Sequence, residues 1–224
     1  MIRALLAVLA LGSVLGCGGP RFPSSVVLED PLLEREWRAS LFVPPARTKS
    51  QQRAVLARAG AEIDCSILMQ ARRPDHVQVV GLDDLGGTMF HVLRTAEGTQ
   101  VIQGSPILAD DFLVNTLVEG LALVFIGVPS ADLRLVRLES GALALHGAFG
   151  LGEALFVREG AGAVEPDRFE IGQRGRLRAS IRILEWSRDQ GGRVLFPGRF
   201  LLSDAAGRCR LEIRVIEWRT EAAS

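Results

Sequence analysis

The chain reads as a mainly β (α+β) protein, a run of antiparallel strands broken by one central helical insert. Three observations predict this. Apolar and polar residues alternate with period two at 61–70, 176–183 and 208–215. A broad apolar stripe with helical spacing follows Ser105-Pro106. Gly-rich turns separate nearly all the strand candidates.

In chain order, residues 1–16 come first, and they read as an export signal. Arg3 supplies the positive start and residues 4–15 an apolar run. That run is shorter than the roughly 20 residues a membrane-spanning helix needs. Val14-Leu15-Gly16-Cys17 resembles the lipobox of bacterial lipoproteins. The resemblance implies cleavage before Cys17, lipid on its sulfur and an acyl chain on the new N-terminus. Gly18, rather than Asp, follows the cysteine, and by the same resemblance points to the outer membrane. The other reading is an ordinary signal peptide with a chance cysteine. Two or more acyl chains anchor a protein stably, because each buried methylene contributes about 0.8 kcal/mol.

About 208 residues remain from Cys17 onward, enough for one domain with a core. The 26 basic and 26 acidic residues cancel, so nothing points to nucleic acid. Residues 17–44 form a lipidated start, a Gly/Pro/Ser-rich tether and an arm that Pro44-Pro45 closes. The folded domain is expected over 45–220. Residues 48–59 read either as a helix or as an early strand. Strands follow at 61–70, 77–82, 88–94 and 100–103. Turns at Pro74-Asp75, 83–87 and 96–98 divide them.

The helical insert starts with Ser105 as N-cap and Pro106 in the first turn. Asp110 and Asp111 sit near its positive end. Ile107, Leu108, Phe112, Leu113, Leu117 and Leu121 form its stripe. Residues 121–126 are apolar throughout and read as buried core. Short strands are expected at 133–139, 142–147, 154–158 and 168–171. A three-stranded meander then closes the chain. Arg176, Arg178, Ser180 and Arg182 alternate with Leu177, Ala179, Ile181 and Ile183. Arg208, Arg210, Glu212 and Arg214 alternate with Cys209, Leu211, Ile213 and Val215. Outer strands of about 11 residues, roughly 35 Å long, suit a wide curved sheet. Pro197-Gly198 marks a bulge or an edge in the middle strand. Arg182-Ile183-Leu184-Glu185-Trp186 echoes Arg214-Val215-Ile216-Glu217-Trp218, as two similarly placed strands of one sheet would.

Four blocks carry a resemblance to a family. They are residues 85–93, the helical segment after Pro106, Phe196-Pro197-Gly198-Arg199-Phe200-Leu201-Leu202, and the closing strand from Arg210 to Trp218. Together they resemble the LolA/LolB-like lipoprotein-sorting carriers and receptors, most nearly the uncharacterised outer-membrane lipoproteins related to them. The resemblance implies a curved antiparallel sheet forming an incomplete barrel, with helices covering its concave apolar face. It implies a cavity for lipid or lipoprotein acyl chains. Candidates to line it are Met89, Leu93, Phe112, Leu117, Leu177, Ala179, Ile181, Ile183, Leu211, Ile213 and Val215.

Catalytic and metal constellations are not expected, and neither is a cofactor. The sequence holds no G-x-S-x-G, and His76, His91 and His146 stand apart. Cys65 and Cys209 make one candidate disulfide in an oxidising compartment, or two buried thiols. The expected function is non-enzymatic. One form is acyl-chain binding by an envelope lipoprotein at the outer membrane, its domain facing the periplasm. The other is an interaction lipoprotein that docks an envelope protein partner.

Overall fold

The computed structural model describes residues 20–58, 60–105, 108–159 and 165–220. The expected signal peptide and Cys17 lie outside these residues. The first half contributes β1 (Ser25–Val27), helix α1 (Pro31–Ala39), β2 (Arg47–Arg58), β3 (Ala61–Arg72), β4 (His76–Leu82), β5 (Thr88–Thr95) and β6 (Gly98–Gln103). The central insert is α2 (Asp110–Phe112), a π-helical segment (Leu113–Val118) and α3 (Glu119–Phe125). Then come β7 (Arg134–Leu138), β8 (Leu143–Phe149), β9 (Gly152–Val157), β10 (Arg168–Gln173), β11 (Arg176–Arg188), β12 (Val194–Asp204) and β13 (Cys209–Thr220). Of residues 48–59, read two ways from sequence, 48–58 are strand, and Ala59 lies outside the described residues.

Among the described residues one antiparallel sheet holds all thirteen strands. Their order is β1-β7-β8-β9-β10-β11-β12-β13-β2-β3-β4-β5-β6. The sheet curls without closing, so β1 and β6 remain edges. Its inner rows bury Ala54, Leu56, Ile67, Met69, Val79, Phe90, Val92, Ile181, Phe200, Leu202, Leu211 and Ile213. The central helix packs against them and contributes Leu113, Leu117, Val118, Leu121, Leu123 and Phe125 to the same core. Residues 120–126, apolar on all sides, are stable in a helix only when surrounded, and here the curved sheet surrounds them. The helix begins at Asp110 rather than at Ser105. Ser105 Oγ accepts a hydrogen bond from Leu108 N at 3.2 Å, and Pro106 and Ile107, expected in the first turn and the stripe, lie outside the described residues.

Both copies of the five-residue echo carry a β-bulge. The pairing of β11 with β12 skips Leu184, and that of β13 with β2 skips Ile216. Each skipped residue stands exposed, and the tryptophan two positions on turns inward. The expected irregularity at Pro197-Gly198 is present, since β12 pairs with β13 only from Arg199 to Ser203.

The segment 20–28, expected as a tether, is part of the fold. Leu177 N donates to Pro20 O at 2.9 Å and Phe22 N to Gly175 O at 3.1 Å. Phe22 covers a second apolar cluster of Val136, Leu138, Ala144, Leu155 and Val157 on the outer face. Gly172 makes room for it: a Cβ there would lie 2.3 Å from the Phe22 ring. Gly172→Ala should therefore expel Phe22 and destabilise the protein by about 1–3 kcal/mol, the usual cost of overpacking. In urea melts, the Gly172→Ala/Phe22→Ala pair should lose less than the sum of the single losses. Strict additivity would show that the ring and the glycine do not meet.

Candidate functional site: a strapped apolar cavity

After α1 the chain crosses the mouth of the half-barrel as a strap, residues 40–46. Asp30 caps α1 by accepting from Leu33 N at 3.0 Å, and Trp37 inserts the helix into the core. Glu34 Oε2 accepts from Leu135 N at 3.0 Å, and Arg38 donates to Leu133 O at 2.5 Å. These two side chains clamp the helix to β7. Arg158 stacks its guanidinium 4.0 Å from the Trp37 ring centroid and donates to Ser40 Oγ. Burial holds the Arg158 pKa below its ordinary value. At the far end Arg73 N donates to Ala46 O at 2.9 Å, and Arg73 Nη1 to Pro44 O at 3.3 Å.

Beneath the strap lies a cavity of about 70 Å³. Leu41, Phe42, Val43 and Pro44 roof it. Leu123, Val124, Gly127 and Val128 at the end of the central helix form one wall, and Phe156, Phe169 and Trp186 the other. Phe42 and Trp186 meet at 6.0 Å between ring centroids, and Phe156 and Phe169 at 5.2 Å. This hollow is well below the roughly 300 Å³ at which ligand pockets begin. In the strapped state it is too small for an acyl chain.

The inner face is filled rather than hollow. Ala179, Ile181, Ile183, Leu211 and Ile213 are buried there, and Phe112 and Leu117 reach them from the helix. Small residues are the reason. Ala54, Ala71, Ala154 and Ala179 let the helix come close, and a Cβ on Gly120 would lie 2.5 Å from Leu202 Cδ1. Room that Ala179 was expected to leave for a lipid is taken by the helix. Val215 is half-buried at the margin.

Three further candidates sit elsewhere. Leu177 packs under Phe22 on the outer face, because the β10–β11 register shift inverts its side. Met89 is the extra residue of a bulge between Gly81↔Phe90 and Leu82↔Thr88, and packs partly buried against the margin of the core. Leu93 pairs with Gln78 on the outer face, out of step with buried Val92. None of the candidates lines the strapped cavity. The residues that do, led by Phe42, Phe169 and Trp186, were missed. Only the echoed tryptophan pointed toward them.

Cys65 and Cys209 are free, buried thiols. Cys65 pairs with Ala54 and Cys209 with Arg58, on opposite sides of β2. Two strand spacings plus that offset separate their Cα atoms by about 16 Å, against roughly 7 Å for a disulfide. Burial pushes the Cys65 thiol up to about 11, and burial also raises Cys209. His91 contacts Gln78 Nε2 at 2.9 Å, and His146 contacts Glu153 at 3.0 Å. Among the described residues no cluster of ligating side chains could hold a metal.

A larger groove of about 520 Å³ lies where the curled sheet nearly meets itself. Val114, Val128, Phe149 and Ile171 give it apolar walls, and Arg94 and Glu119 set an ion pair into them. Arg94 Nε bonds Glu119 at 3.0 Å, its Nη1 donates to Asp75 O at 3.1 Å, and its guanidinium lies 5.3 Å from the Phe149 centroid. Arg94 thus ties β5, the central helix and the β8–β9 hairpin across the seam.

The Leu135 amide, followed by Arg38, holds the Glu34 carboxyl below the usual glutamate range despite partial burial. The stability it contributes is complete above the unfolded pKa and is lost as pH falls through the folded one. Glu34→Ala should cost about 1.5 kcal/mol at pH 7, the low end for a charged hydrogen bond because the group is partly solvated. In denaturant titrations that deficit should shrink as pH drops below the ordinary glutamate range. A deficit constant with pH would remove the clamp.

Compared by sequence, the chain matches no family model and no curated protein. Solved structures are similar to it. A LolA superfamily protein from Nitrosomonas europaea is 12% identical, with TM-score 0.49, over 89% of this chain and 96% of that one. A DUF1329 family protein from Desulfovibrio piger is 11% identical, with TM-score 0.47, over 80% and 88%. A domain assigned to outer membrane lipoprotein sorting, from Vibrio parahaemolyticus, is 10% identical, with TM-score 0.47, over 86% and 92%.

Proposed function

We propose that this protein is a lipid-anchored envelope protein that binds an acyl chain, free or on a lipoprotein, by exchanging it for the strap. The observation that carries this is the strapped cavity: aliphatic and aromatic walls, with Arg73 at one end, under a segment pinned by hydrogen bonds at its two ends. Cys17 would hold the domain at the outer membrane, facing the periplasm. No bond is made or broken in the exchange.

The energetics permit it. Fully burying a Leu or Phe side chain contributes about 1.5–3 kcal/mol, so half-buried Leu41 and Phe42 together contribute roughly 3 kcal/mol. About four buried methylenes offset that at 0.8 kcal/mol each. A longer chain gains more than the strap loses. The filled inner face favours a second reading, an interaction lipoprotein that docks an envelope protein partner without taking lipid.

Protein produced from Gly18 onward separates the two. Native mass spectrometry should find acyl lipid bound at substoichiometric levels. Phe42→Ala, which removes about 1.5 kcal/mol of roofing, should tighten binding of a fluorescent fatty acid about tenfold. Val124→Phe should abolish binding by filling the cavity. If neither the native chain nor Phe42→Ala retains or binds lipid, acyl-chain exchange is excluded and the docking reading stands.

A further inference from the structure

The start of the described chain fixes where the fold sits relative to the lipid anchor. Pro20 and Phe22 are bonded to the β10–β11 turn, and Arg21 bridges to Arg176. From Cys17 to Pro20 the chain can span no more than about 11 Å. The anchored cysteine therefore cannot stray far from this one turn. A long tether would leave the orientation free, and here the tether is used up in packing.

The surface around that turn fits a bilayer. Arg174, Arg176 and Arg178 are exposed, with no acidic residue between them in the sequence. Arg21 lies beside them, and Arg208 and Arg210 are exposed at the start of the neighbouring meander strand. Two acidic groups near the turn are engaged: Asp204 by Arg208 at 3.5 Å, and Glu153, opposite Gly172, by His146 at 3.0 Å. The adjoining β8–β9 turn touches the same place, since Gly152 packs on Gly172 and Gln173. That turn presents Leu151, an apolar side chain 94% exposed at the rim of the groove beside Arg94.

We infer that this end of the fold docks on the membrane, its arginines on anionic phospholipid headgroups and Leu151 inserted among them. The inference rests on the lipobox reading of Cys17 for the anchor, and on the structure for the orientation. Docking is charge-driven at the turn and apolar at one point. It turns the β11–β12 turn, at the other end of β11, toward solvent.

The experiment uses full-length lipidated protein in vesicles of phosphatidylglycerol and phosphatidylcholine. A polarity-sensitive dye is placed on Leu151→Cys or, as control, on Gln190→Cys. Cys65 and Cys209 are buried and should stay unlabelled. The dye at 151 should shift to the blue and be quenched by spin-labelled lipid, while that at 190 reports water. Arg174→Glu with Arg178→Glu should return the 151 signal toward water in anionic vesicles. Partitioning of protein lacking Cys17 into the same vesicles should fall about fivefold per arginine reversed. Equal exposure of both dyes overturns the orientation. Mass spectrometry of the N-terminal peptide reports lipid on Cys17 separately. An unmodified cysteine would refute the anchor, while partitioning of the Cys17-less chain still decides the docking surface.

Discussion

The contact on which the rest depends is that between the central helix and the inner rows of the sheet. A sheet with one wholly apolar face must cover it, and thirteen strands curled around a single helix is the cover found here. The fit requires small residues where helix and sheet are closest, which Gly120 and the inner alanines supply. It also shapes the helix. The π-helical turn at Leu113–Val118 keeps Leu113, Thr116, Leu117 and Val118 buried together in the helix most tightly enclosed by strands. Once the helix occupies the hollow, any ligand space is pushed to the margin. That margin is where α3 ends at Gly127 and the strap passes over.

Curling without closing leaves edges, and the protein manages both. The β1 edge is only Ser25–Val27 long, and α1 is clamped beside it through Glu34 and Arg38. Short, covered edges resist pairing with other chains. The opposite end of the sheet is tied back by Arg94, whose buried guanidinium reaches the helix, a turn carbonyl and an aromatic ring together. A buried ion pair of this kind is weak evidence of stability and better evidence of a fixed arrangement. The seam can therefore stay open as a groove, held by one ion pair, while the core behind it stays packed.

Much of this was legible in the sequence where the period was clean. Residues 61–70 and both outer strands of the meander announced themselves by alternation, and β3, β11 and β13 follow it. β2 was ambiguous for a physical reason. Its inward row begins Thr48, Ser50, Gln52 before turning apolar at Ala54 and Leu56, so its first half lacks contrast. The site was less legible because bulges change parity. Leu177 and Met89 each sit where one extra residue flips the faces, and nothing local in their side chains signals it. The strapped cavity joins residues from 41 to 186 in sequence, a juxtaposition only the topology creates.

The two ends of β11 have different mechanical characters. At Arg176–Leu177 the strand is bound by the N-terminal arm, and Phe22 seals it. At Leu184–Trp186 it is bulged, faces the strap, and borders the region where β12 has left β13. Near that end Thr48 Oγ1 and Gln52 Oε1 are buried without hydrogen-bond partners, each at a cost of about 1–3 kcal/mol. Low local stability is expected there and not at the arm. The distance from Arg176 to Trp186 along an extended strand is about 33 Å. If the arm end docks on the bilayer as proposed, with β11 upright, the cavity mouth would stand far above the headgroups. An acyl chain entering it would then arrive on a carrier or lipoprotein from the aqueous side, because a chain still rooted in the host leaflet could not reach that height.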